Sequence, residues 1–217
     1  MSPERFDGIF FDLDGTLTDP FEGITGCIQH AMRGVGVPPP VQAELAWCIG
    51  PSLHESLCVL VGPSRADEAL GLYRERFSRI GWRENRPYAG IADVLRGLQQ
   101  QGGRLFVASS KPHVFVDRIL QHFELAHFFQ RTYGSELDGR FADKGELLDH
   151  ALGELDFSGS NCLMIGDRSH DAVAAARHKM AFIGALYGFG SRDEYESAGY
   201  GAWAEEPGQI PGLIARA

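Results

Sequence analysis

Positive charge is scarce in this chain. Of 217 residues, 20 are Lys or Arg against 29 Asp or Glu, a formal net charge of -9, and the cations form no stripe. Proteins that grip a phosphate backbone collect Lys and Arg on one face, so this balance argues against a nucleic-acid partner. Long apolar runs are missing too. None approaches the roughly 20 residues needed to span a bilayer, and the opening "MSPERFDG" has no apolar h-region. The expectation is a cytoplasmic protein with no membrane association. Cysteine is sparse and unpatterned: Cys27, Cys48, Cys58 and Cys162 make no CxxC pair. Cys48 and Cys58 also lack His partners at zinc-site spacing. Buried free thiols in a reducing compartment are expected. Internal repeats and low-complexity tracts are absent.

What is present is an ordinary globular composition, 44% hydrophobic, enough for one large domain or a domain with a smaller insertion. Short blocks of branched and aromatic residues read as fully buried strands: "GIFFDLD" at 8–14, "RLFVASS" at 104–110, "CLMIGD" at 162–167 and "AFIGALYG" at 181–188. Strands covered on both faces look like this. Between them "IADVLRGLQQQGG", "HVFVDRILQHFEL" and "DKGELLDHALGEL" repeat apolar residues at helical spacing. Alternation of the two predicts an α/β fold, a doubly wound parallel sheet with a Rossmann-like core. The stretch after the first strand breaks the rhythm. It holds helical patterns such as "GITGCIQHAMRGV" and "RADEALGLYRERFSRI", separated by "GVPPP" and "GPSLHE". The predicted organisation is a core of residues 1–18 and 86–217 with a small all-helical insertion at 19–85. The tail beyond Ser191 reads as short helices on the sheet edge.

In an open α/β sheet, ligands bind outside the carboxyl ends of the strands. The residues predicted there are Asp12 and Asp14, then Ser109, Ser110 and Lys111, then Asp167 and Asp171, with Lys144 opening the helix before the third group. Several carboxylates in one place repel unless a cation lies between them, and hard oxygen ligands suit magnesium. A hydroxyl, backbone N–H groups and an ammonium opposite them make an anion site for a phosphoryl group. Magnesium, phosphate and a carboxylate nucleophile together point to phosphoryl transfer through an aspartyl phosphate. Some of these residues have a plainer reading. Asp171 suits a helix N-terminus as well as a metal, Lys111 stands next to Pro112 and its loop could use only backbone, and Thr16 reads as a hydroxyl that fixes the turn. Arg168 and His170 meet either substrate or solvent. "YGFGS" carries a GxG without a third glycine and reads as a flexible strand-end loop rather than a dinucleotide site.

"DLDGTLTD", "VASSK", Lys144 and "IGDRSHD", in that order over nearly the whole chain, resemble the haloacid dehalogenase-like hydrolase superfamily, with a helical cap after the first strand. The resemblance implies a phosphatase. Asp12 would be the nucleophile and Asp14 the general acid and then base. Lys144 would neutralise and position, and Ser109 (or Ser110) would hold the phosphoryl group. Magnesium would be held by Asp12, the backbone carbonyl of Asp14, Asp167 and Asp171. The cap resembles the phosphoglycolate phosphatase-like branch, "IGPSLHESL" at 49–57 making Ser52, His54 and Arg83 candidates to meet the leaving group. The implied partner is a small phosphorylated metabolite, 2-phosphoglycolate or a nucleoside 5'-monophosphate, acted on by a monomer or homodimer. Residues 20–85 contain no lysine, which disfavours a phosphonatase-type enzyme and, less strongly, a phosphomutase. The phosphomutase and a catalytically weak phosphate-binding module stay as alternatives.

Overall fold

The computed structural model describes residues 5–216. In chain order the strands are β1 (Gly8–Phe11), β2 (Thr18–Asp19), β3 (Arg86–Pro87), β4 (Leu105–Pro112), β5 (Arg131–Ser135), β6 (Cys162–Gly166), β7 (Ala181–Ala185) and β8 (Trp203–Ala204). The helices are α1 (Phe21–Gly34), α2 (Leu53–Val61), α3 (Pro63–Arg79), α4 (Ile91–Gln100), α5 (His113–His122), α6 (Lys144–Leu155), α7 (Ser169–Arg177), α8 (Arg192–Ser197) and α9 (Ile210–Ile214).

All four residues of β1 are buried. Successive side chains leave opposite faces of a strand, so both faces of the sheet are covered. Six strands form that sheet in the order β5-β4-β1-β6-β7-β8, and every pairing is parallel. This is the doubly wound α/β architecture. On one face Phe10 stacks on Phe106 with ring centroids 5.1 Å apart. They join Met164, Leu147, Leu148 and Tyr195 in a continuous core under α6 and α7. The chain first builds outward from β1 through β4 to β5, then returns to β1's other side with β6. That reversal is the switch point where α/β sheets bind ligands.

The edges depart from expectation. β5 reads "RTYGS" and β8 only "WA", so neither shows the apolar block that marks a central strand. β8 adds a strand in the tail, where only helices were expected. Edge strands are short and need less burial, which is why their sequences carry little signal.

Two compact units divide the chain, Asp19–Arg86 and the remainder. The Asp19–Arg86 unit is built from α1, α2 and α3 with short 3₁₀ turns at Gln42–Cys48 and Gly81–Arg83. Its interior holds Ile24, Ile28, Leu45, Leu57 and Phe77, with Tyr73 stacked on Phe77 at 5.5 Å. All four cysteines are thiols outside any disulfide, three of them buried. Cys58 departs from the expectation and is half-buried. Burial pushes the Cys48 thiol up to about 11 and that of Cys162 up to about 12.

Candidate active site

β1 stops at Phe11, before the acids, and the chain leaves the sheet as it reaches them. The Asp12 N–H still donates to the Ile165 carbonyl of β6 at 2.9 Å. The Leu13 carbonyl then accepts from the N–H groups of Thr16 (3.3 Å), Leu17 (2.9 Å) and Thr18 (3.0 Å), closing a tight turn. Gly15 sits in that turn at φ 82, a region other residues rarely enter. A Cβ there would come within 2.0 Å of Asp167 Oδ2. Only glycine lets the two acidic loops approach. The turn is fixed by backbone, not by the Thr16 hydroxyl, which is buried without a hydrogen bond. The Thr16 carbonyl instead accepts from the Tyr187 hydroxyl at 2.9 Å.

Lys144 opens α6, whose N-cap Asp143 accepts from the Glu146 N–H at 2.9 Å. A cation in a helix's first turn opposes the macrodipole, and this one is also buried. Three partners offset both costs. The Lys144 Nζ donates to the Ala108 carbonyl at 2.7 Å and to Asp12 Oδ1 at 2.9 Å. It lies 2.8 Å from Asp171 Oδ1. Two of these contacts are hydrogen bonds, and the Asp171 contact is an ion pair.

Asp12, Asp167 and Asp171, all buried, each bring one carboxylate oxygen within 4.8 Å of the others. Their environments differ. Burial pushes the Asp12 carboxyl up to about 6, against the pull of Lys144. Burial also lifts Asp167 well above the ordinary range, with Asp171 and Asp12 adding to it. For Asp171 burial acts in the same direction, but Lys144, His170 and the Arg168 N–H together outweigh it and the group is held below the usual value. Lys144 is held above the ordinary lysine value, because Asp12 and Asp171 overcome the burial that opposes its charge.

Asp14 is not in that cluster. Its Oδ2 is ion-paired with Lys111 Nζ, a contact that gives Lys111's side chain a place in the site, and its Oδ1 is buried with no hydrogen-bond partner. Ser109 is buried, its Oγ accepting from the Lys111 N–H at 3.4 Å. Ser110 is half-buried and contributes its carbonyl to the Ser135 hydroxyl at 2.8 Å. The β4–β5 register breaks between Ser109 and Pro112, which turns this segment out of regular pairing beside the acids.

Asp171 is both a helix N-terminal acid and a cluster member, since its Oδ2 accepts from the Arg168 N–H at 3.1 Å. Arg168 Nε reaches Glu194 at 3.4 Å. His170 is half-buried, and burial pushes its imidazole below the ordinary value. The "YGFGS" loop is packed, not loose: the Phe189 N–H donates to Asp167 Oδ2 at 2.8 Å. Sequence reading missed Tyr187, Phe189, Glu194 and Tyr195, whose only local signal is a pair of glycines after a buried strand.

In the Asp19–Arg86 unit, Ser52 caps α2 and His54 pairs with Asp67 at 3.1 Å. Arg83 lines a polar cavity of about 630 Å³ with Arg33, Gln29 and His30.

Residues 9–185 match the family described as haloacid dehalogenase-like hydrolase. A 5'-nucleotidase of Pseudomonas aeruginosa is 47% identical, over 88% of this chain and 87% of that protein. The tyrosine-protein kinase PtkA of Mycobacterium tuberculosis is 37% identical over 85% of this chain, which spans only 64% of the kinase. A crystal structure described as a predicted phosphatase from Clostridium acetobutylicum superposes with a TM-score of 0.92. It is 34% identical and covers 98% of this chain and 99% of its own. This chain therefore belongs to the haloacid dehalogenase-like hydrolase family.

Proposed function

We propose that this hydrolase is a magnesium-dependent phosphatase that cleaves a small phosphate monoester through a phosphorylated Asp12, with the helical unit Asp19–Arg86 as its cap domain. The observation that carries the reading is the buried Asp12–Lys144–Asp171 bridge beside Asp167. With all three carboxylates ionised, they and the one ammonium would carry two surplus negative charges, which a divalent cation would neutralise. The donors are hard oxygens, and Asp167 Oδ1 is buried with no hydrogen-bond partner, so the set fits Mg²⁺. Asp12, Asp167, Asp171 and the Asp14 carbonyl would hold it. Bound there, it would draw charge from the phosphoryl oxygens and keep the carboxylates ionised.

Asp12 attacks phosphorus, forming an acyl–phosphate bond as the ester P–O bond breaks. Asp14 gives its proton to the leaving oxygen, so the alcohol departs neutral. The same carboxylate then takes a proton from water, whose oxygen attacks phosphorus and returns Asp12 as a free carboxylate with inorganic phosphate. Lys144 holds the attacking carboxylate and offsets phosphoryl charge, and Ser109 supplies a hydroxyl to that group. Lys111, ion-paired to Asp14, holds that carboxylate in place between the two proton transfers.

The 47% identity to a 5'-nucleotidase favours a nucleoside 5'-monophosphate, and 2-phosphoglycolate is the other ester to try first. Phosphate release from a panel of esters, with and without Mg²⁺, tests the reading. Mg²⁺-dependent release is expected, and Asp12→Asn should lower it on the order of 10⁴-fold or more while the protein stays folded. Full activity in that variant removes Asp12 from its role. Exchange of phosphate between two positions of a sugar without net release would make the protein a phosphomutase. Silence throughout, with metal bound, would leave a phosphate-binding module.

A further inference from the structure

Asp167 is gripped from one side by a segment with no part in the chemistry above. The Tyr195 hydroxyl donates to the Asp167 carbonyl at 2.8 Å. Tyr195 is fully buried, and it heads the largest buried side chains of the described residues. The Phe189 N–H donates to Asp167 Oδ2 at 2.8 Å. One residue earlier in α8, Glu194 Oε2 accepts from the Ser169 N–H at 2.7 Å and from Arg168 Nε at 3.4 Å. Consecutive residues of one helix therefore hold both the acid and the loop that follows it. The glycines between them allow the approach: a Cβ at Gly190 would lie 1.7 Å from the Asp167 carbonyl oxygen.

These contacts leave one side-chain oxygen of Asp167 over. Its backbone oxygen and Oδ2 are taken, while Oδ1 is buried without a hydrogen-bond partner among the described residues. A buried carboxylate oxygen left unpaired is costly, and here the grip prevents the side chain from turning to relieve it. Partners that fix a ligating carboxylate from behind commonly change metal affinity about 10–100-fold when removed.

We propose that Tyr195 is a positioning residue for the metal site: its hydroxyl fixes the Asp167 backbone so that Oδ1 is presented to the cation. The inference rests on the reading of the acidic cluster as a Mg²⁺ site. Tyr200 provides an internal comparison, because its hydroxyl donates to the Met180 carbonyl at 2.9 Å and its ring packs on Phe182, as Tyr195's does. Loss of either hydroxyl removes the same kind of bond from the same hydrophobic cluster. Only Tyr195 touches an acid of the site.

The test is Mg²⁺ binding to the full chain by calorimetric titration, with metal-free melting temperatures measured alongside. Tyr195→Phe should weaken Mg²⁺ binding about 10-fold or more, and Tyr200→Phe should leave it within about 2-fold, with similar small losses in melting temperature for both. Turnover of Tyr195→Phe should recover at high Mg²⁺. Gly190→Ala, which displaces the same carbonyl, should weaken binding in the same direction. Equal Mg²⁺ affinity in wild type and Tyr195→Phe overturns the positioning role and leaves the phosphatase reading standing. Equal weakening in both tyrosine variants makes the hydroxyls merely structural and also overturns it. No Mg²⁺ binding by the wild type removes the metal site itself and the proposal with it.

Discussion

The two units differ in one use of charge: both carry exposed ion pairs, and the α/β unit also buries a cluster of them. In the α/β unit, Lys144 and its partners Asp12 and Asp171 are nearly inaccessible, with side chains 2%, 9% and 0% exposed. In the helical unit, Arg86 pairs with Asp19 at 2.8 Å but is 78% exposed. In the Arg76–Glu84 pair at 2.7 Å the side chains are 21% and 35% exposed. An ion pair near solvent gains little and costs little. A buried one pays heavy desolvation, and replacing it by apolar groups is often neutral or better for stability. A buried cation placed against a helix dipole, between acids that repel each other, therefore makes sense for chemistry rather than for holding the fold.

That contrast can be broken at Lys144. Lys144→Met leaves Asp12 and Asp171 buried and uncompensated, so denaturant unfolding should show a loss of about 3–5 kcal/mol. Turnover should fall about 100-fold or more. Stability equal to wild type would mean the site is far more hydrated than its burial indicates.

A second, smaller effect comes from pH. Asp12 in the folded protein ionises at about 6, and Asp167 well above the usual carboxyl value of 3.8. The folded state thus binds these protons more tightly than the unfolded one. The Asp12 contribution to stability is fully present below pH 3.8 and lost as pH rises through about 6, and that of Asp167 is likewise lost as pH rises. Asp171 is shifted the other way, so its contribution is lost only below that window. Metal competes with the protons. Mg²⁺ should therefore raise the melting temperature more at pH 7.5 than at pH 5, and a larger rise at pH 5 would contradict the assignment of Asp12 as a ligand.

The smallest effect belongs to the helical unit. Arg86→Ala should cost less than about 1 kcal/mol in the same unfolding experiment. A loss as large as that of Lys144→Met would erase the contrast between the units.

Much of the core was legible because parallel strands covered on both faces must be apolar throughout. β1, β4, β6 and β7 announce themselves in this way, though β1 ends three residues sooner than the run "GIFFDLD" suggests, where the Leu13 carbonyl closes its turn. β5 and β8 lie at the margins and carry weak patterns. Asp12, Asp167, Asp171 and Lys144 could be gathered from sequence because a switch point collects whatever follows its strands. What they do there is the proposal above.

Sequence alone determined the class of fold, the helical composition of residues 19–85 and the residues that end the central strands, since periodicity and burial are local properties of a chain. Tertiary structure decided the rest. The Lys111–Asp14 pair joins residues 97 positions apart. The Lys144 bridge spans 132 positions to Asp12, and the Tyr195 grip on Asp167 reaches across 28. "YGFGS" reads as a loose loop in sequence and is a packed support in three dimensions. Glycine's local signal is flexibility, whereas its use here is the absence of a Cβ where two backbones meet. No local pattern encodes that meeting, because it exists only once the sheet has brought the strand ends together.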